Sequence, residues 1–143
     1  MDKKYGYFIA LNARVREKAN EFIIRETERL GVVGLAPSHG DILINLMLKG
    51  PMKMKDLADL IHRKKNTVTT LVEKLIVLDY VEKLTDEKDN RIKMISLTNK
   101  GKSLEEIFFT ISENLITTVF KDMTDEEKNS VMNGMKKIYE NLK

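Results

Sequence analysis

The chain has 143 residues, enough for one integrated domain with a core of its own, and its 42% hydrophobic and 33% charged composition points to a soluble protein. No apolar run approaches the roughly 18–20 residues that a membrane-spanning helix needs, and the absence of cysteine excludes disulfides, thiolate metal sites and thiol-based redox switching. The net charge of +3 is unevenly spread: residues 49–102 hold 13 Lys and Arg against 8 Asp and Glu, whereas the remainder is slightly acidic, a distribution that fits either a polyanion-binding module on a separate scaffold or a solvated charged surface.

The opening Met1-Asp2-Lys3-Lys4-Tyr5 has neither the apolar core nor the cleavage site of a signal peptide, so the expected location is the cytoplasm, with no membrane partner. Phe8, Leu11, Val15, Ala19, Phe22 and Ile23 recur at steps of three and four, predicting one long amphipathic helix over about 4–30 that ends at Gly31–Gly34. Pro37 suits the start of a second helix, with Ser38 and Asp41 at capping-box spacing ahead of Ile42, Leu43, Leu46 and Met47. Lys49-Gly50-Pro51 stops it.

A short helix with Leu57, Ala58, Leu60 and Ile61 follows, then a polar break at His62-Arg63-Lys64. The next helix, from about Lys65 to Leu78, carries Val68, Leu71, Val72, Leu75 and Ile76 on one face and Lys65, Asn66, Thr69, Thr70 and Lys74 on the other. Two short helices so joined, the second basic at its start, are the parts of a helix-turn-helix. After Asp79 the period becomes that of strands. Tyr80–Leu84 and Ile92–Leu97 flank a charged turn over Thr85–Arg91, predicting a hairpin. A long helix with Leu104, Ile107, Phe108, Ile111, Leu115 and Val119 is predicted from about Thr98 to near Lys121. A last one opens on the capping box Thr124–Glu127 and carries Val131, Met135, Ile138 and Leu142.

This order of elements resembles the MarR family, the multiple-antibiotic-resistance regulators, over nearly the whole chain. Asp86-Glu87-Lys88-Asp89-Asn90-Arg91 fits the family's D-x-x-D-x-R wing, and Leu97-Thr98-Asn99-Lys100-Gly101 fits its L-T-x-x-G close. Leu35-x-Pro37, Leu57-Ala58 and Thr67-Val68-Thr69 also match. The resemblance implies a mainly α fold with a small β-hairpin wing. In it, a winged helix-turn-helix over about 35–98 would be flanked by terminal dimerisation helices over about 4–30 and 99–143, all in one domain.

It further implies a sequence-specific double-stranded DNA-binding transcriptional regulator, a repressor or less often an activator. A homodimer would interleave its terminal helices and bind a pseudo-palindromic operator. A small anionic aromatic effector is also implied, though no residue is assigned to it. Apolar residues at the outer ends of the terminal helices, including Tyr5, Tyr7, Phe8, Phe120 and Ile138, agree with a dimer; alternatively they cap the monomer core.

The candidate DNA-binding residues are Ser38, Lys64, Lys65, Asn66, Thr67, Thr69, Thr70, Lys74, Lys88 and Arg91, with Asp89 orienting the Arg91 guanidinium through a charge-assisted pair. In the major groove Asn66 could pair with adenine, the threonines could touch a thymine methyl or accept a base hydrogen bond, and Lys65 or Lys74 could reach guanine or phosphate. Family members carry Ser or Thr as helix caps where this chain has Lys53 and Lys64. Either these lysines serve phosphate contacts or the helices start elsewhere. No glycine-rich phosphate loop, nucleophile elbow or zinc-spaced histidine array is present. His39 and His62 read as surface or DNA-proximal side chains, and no enzyme, cofactor or metal is expected. A winged-helix module binding an acidic protein partner is the alternative reading.

Overall fold

The computed structural model describes residues 3–143; Met1 and Asp2, part of the N-terminal segment read above, lie outside the described residues. The chain divides into two compact units, one ending at Ile111 and the other Ser112–Lys143.

In the first unit, α1 (Phe8–Arg29) is followed by α2 (Pro37–Lys49), β1 (Met52–Lys53), α3 (Met54–Leu60), α4 (Lys65–Val77), β2 (Val81–Thr85), β3 (Lys93–Leu97) and α5 (Asn99–Lys102). The sheet is antiparallel in the order β1-β3-β2, with Met52 opposite Ile95 and Val81 opposite Leu97. The core is built where α2, α3 and α4 meet the sheet. Ile42 and Leu43 from α2, Leu57 from α3, Val68, Val72 and Leu75 from α4, and Val81 and Ile95 from the strands are all fully enclosed. Their spacing of three or four along each helix puts them on one stripe, and burial of that stripe is what holds these short helices.

Four sequence expectations need correction. First, α2 is not opened by Ser38. Pro37 holds the preceding Ala36 extended (φ −80°, ψ 159°), so Ala36 becomes the cap, and its N–H donates to Nδ1 of His39 at 2.9 Å. Second, His39 is accordingly buried rather than a surface side chain. Third, β1 was not expected at all: two residues are too few to show a period, and only pairing with β3 makes them a strand.

Fourth, the helix expected to run unbroken from Thr98 is two helices, α5 and α6 (Glu105–Val119). The break follows from the Leu97-Thr98-Asn99-Lys100-Gly101 segment. Thr98 accepts from the Gly101 N–H at 3.0 Å and donates to the Asp79 carbonyl at 2.5 Å, while Lys100 donates to the Leu78 carbonyl at 2.9 Å and lies 4.7 Å over the Tyr80 ring. A Cβ on Gly101 would collide with the Tyr80 carbonyl oxygen, which explains the glycine. This segment ties the wing's base to the end of α4.

Both ends of α4 are set by left-handed residues. His62 (φ 53°) follows α3 and Asp79 (φ 62°) follows α4. Each occupies the position past the helix where glycine is usual: the Arg63 N–H reaches back to Ala58, and the Tyr80 N–H to Leu75.

Helix α6 begins in the first unit, where Leu104, Phe108 and Ile111 are buried, and continues into the second. The second unit ends in α7 (Asp125–Asn141), opened by the predicted reciprocal capping box: Thr124 Oγ1 accepts from the Glu127 N–H and Glu127 accepts from the Thr124 N–H. No residue of α7 is buried.

Candidate nucleic-acid interface

With Val68, Val72 and Leu75 turned to the core, the 3.6-residue period turns Asn66, Thr70, Glu73 and Val77 outward. Thr67 and Lys74 flank this face on one side, and Lys65 and Thr69 on the other. Asn66, Thr67 and Thr70 are exposed, as are Lys64, Lys65 and Lys74, whereas Thr69 is half-buried. Thr69 Oγ1 donates to the Lys65 carbonyl at 2.9 Å and Thr70 Oγ1 to the Asn66 carbonyl at 3.2 Å.

Lys64 is the N-cap of α4 and Lys53 that of α3, and neither makes a side-chain cap. The helices therefore start where the sequence placed them. The first N–H groups of α4 are left facing outward beside two lysines, an arrangement favourable to an anion such as a phosphate group.

At the wing tip, Arg91 Nε donates to Asp89 Oδ1 at 3.2 Å and its Nη2 to Oδ2 at 3.3 Å, while the Arg91 backbone N–H also donates to Oδ1 at 3.0 Å. The guanidinium beside it holds the Asp89 carboxyl below its ordinary range, with the backbone N–H and Lys53 adding to the effect. The Arg91 side chain remains 91% exposed. A pair so open to water adds little stability, so its effect is to aim the guanidinium. Lys88 is exposed, and its backbone N–H is held by Asp86 Oδ1 at 2.8 Å in a local turn.

Ser38 is half-buried in the first turn of α2. The charge of Lys74 acts on Ser38's neighbour His39. Burial, more than Lys74, lowers the affinity of His39 for a proton. The neutral ring accepts at Nδ1, so its proton sits on Nε2.

Three residues on or beside this surface escaped the sequence reading. Glu73 and Val77 extend the Asn66–Thr70 face by one and two turns, and carrying the helical period forward would have found them. Arg63 is exposed in the turn before α4.

Residues 35–101 match the winged helix DNA-binding domain family, the span that contains the helix-turn-helix, the wing and the segment locking its base. These residues carry a winged helix domain, and the fold is shared with solved MarR regulators. It is 26% identical over 117 residues to the HTH-type transcriptional regulator SarZ of Staphylococcus epidermidis, covering 82% of this chain and 78% of that protein. The Staphylococcus aureus MepR–DNA complex superposes with a TM-score of 0.85 at 20% identity, covering 94% of this chain and 97% of that one. BpsR of Bordetella bronchiseptica, whose DNA binding is regulated by 6-hydroxynicotinic acid, superposes with a TM-score of 0.80 at 17% identity, covering 94% of both chains. The function class is thus DNA-binding transcriptional regulation, and the relatives are regulators rather than enzymes. No helix among the described residues is long and apolar enough to cross a membrane.

Proposed function

We propose that the chain is a cytoplasmic repressor that binds a pseudo-palindromic operator as a homodimer, with α4 in the major groove and Arg91 of the wing directed to the minor groove. The observation that carries this reading is the outward face of α4. Lys64, Lys65, Asn66, Thr70 and Lys74 are exposed together, and none of these lysines has an acidic partner among the described residues. Such a face suits base edges at its centre and phosphates along its rims. That MepR, which shares the fold, was solved in complex with DNA supports a DNA-binding role.

Dimerisation is supported by apolar side chains that each helix leaves in water. On α1 these are Ile9, Leu11 and Val15; on α6, Ile116 and Val119; on α7, Val131, Met132, Met135 and Tyr139. A second copy covering them would set two α4 helices one or more helical turns apart on the duplex. A small anionic aromatic compound is the effector class, by analogy with the hydroxynicotinate that regulates BpsR. It would weaken DNA binding only as far as it favours a spacing that does not fit the operator.

A salt titration on duplex DNA tests the reading. Affinity should fall linearly in logarithmic form, with a slope near −0.9 for each phosphate contact. No duplex binding at low salt, with capture of an acidic protein instead, would replace it with a protein-interaction module. Transcription from a promoter overlapping a selected site should fall when the protein is added; a rise would make it an activator.

A further inference from the structure

The three threonines of α4 do not present the same chemistry. A residue beyond the first helical turn has a helical carbonyl four positions back, and a threonine hydroxyl there can donate to it. Thr69 and Thr70 do so, to Lys65 and Asn66. Their hydroxyl protons are spent inside the helix, leaving a methyl group and the acceptor lone pairs of the oxygen, with Thr70 exposed and Thr69 half-buried. Thr67 lies in the first turn, where the residue four back, Arg63, is outside the helix. Among the described residues its hydroxyl meets no partner, so it keeps its proton to give.

We propose, resting on the DNA-binding reading above, that Thr69 and Thr70 make α4 a reader of thymine methyl groups, while Thr67 uses its hydroxyl as a hydrogen-bond donor to DNA. The match is chemical. In the major groove a T·A pair displays the thymine C5-methyl and, across the pair, the adenine N6 amino donor, which complement a methyl and an acceptor. A G·C pair offers the same acceptor an amino donor, on cytosine N4, but has no methyl group in the groove, so the methyl contact is what separates the two pairs. Glu73, exposed one turn on, also only accepts, so donors at this face come from Asn66, Thr67 and the flanking lysines alone. The half-site under the centre of α4 is therefore rich in T·A pairs. Donors lie at the two ends of this face, Lys65–Thr67 at one and Lys74 at the other.

The test uses the full-length protein and a duplex recovered from a random library. If no duplex is recovered, the DNA-binding reading fails and this inference with it. On a bound duplex, deoxyuridine replaces each thymine in turn, deleting only the methyl. At one or two positions per half-site affinity should drop about fourfold, the value of one buried methyl group. Thr70→Ser and Thr69→Ser, which keep the hydroxyl and delete the methyl, should abolish this thymine preference, and Thr70→Val should retain it. Thr67→Val should weaken every duplex alike, with Thr67→Ser restoring binding. Helical content by circular dichroism confirms that each variant is folded. A duplex that binds tightly yet is indifferent to uracil at every position would overturn the inference. So would a Thr70→Val variant that loses thymine preference as Thr70→Ser does.

Discussion

The winged helix and the terminal helices use the same helical period to opposite ends. In residues 35–101 the apolar stripes of α2, α3 and α4 close on one another and on the sheet, and eight of the core side chains are wholly enclosed. In α1 and α7 equally regular stripes lie open: Val15 is 54% exposed and Tyr139 53%. Capping does not explain the difference, since α7 has a full capping box whereas α3 and α4 start without one. Tertiary burial sustains the first set. The second is complete as helix and incomplete as surface, the feature on which the proposal of a dimer rests.

That contrast can be broken in graded steps. Leu75→Ala, at the centre of the enclosed core, should cost about 2–5 kcal/mol in urea unfolding, by the same amount at every protein concentration. A concentration-dependent loss would mean that the lobe is not self-sufficient. Next, Arg91→Ala should weaken operator binding by about 1–3 kcal/mol without lowering the melting temperature, because the guanidinium touches only Asp89 among the described residues. A fall in stability with unchanged affinity would give the Asp89–Arg91 pair a structural role instead.

On the open faces, Met135→Glu or Val131→Glu should leave the lobe folded while shifting sedimentation from dimer to monomer and removing the concentration dependence of the melting temperature. An unchanged sedimentation coefficient would show that this stripe is not the pairing surface.

The smallest expected effect is on pH dependence. His39 holds its proton less tightly folded than unfolded, so the unfolded chain binds more protons below about pH 6.5, the ordinary histidine value. Stability is fully present above that pH and declines as pH falls through the window between the unfolded and the lower folded value. His39→Asn should flatten the decline. An unaltered profile would assign it to other groups.

Much of the fold was legible because its elements follow local rules. The α4 stripe, the hairpin alternation and the Thr124–Glu127 box each sit within a few residues of one another. What escaped depended on distant partners. Met52 and Lys53 become a strand only against Ile95 and Met94. The break after Lys102 comes from the grip of Thr98 and Lys100 on the end of α4, some twenty residues earlier. Ser38 lost the capping role to Ala36 and His39 because Pro37 fixes the turn before it. At the candidate interface, the sequence named Thr67, Thr69 and Thr70 as equals. Only the hydroxyl geometry separates the two whose protons are spent within α4 from the one whose proton is available.

Selection of bound duplexes from a random library, with the protein-to-DNA stoichiometry of the winners, tests the division between a reading lobe and pairing helices most directly. The account predicts inverted repeats whose half-sites lie about 10–10.5 base pairs apart, or a multiple of that, each duplex holding two chains. Recovery of unrelated sequences, or of single half-sites bound by one chain, would contradict it.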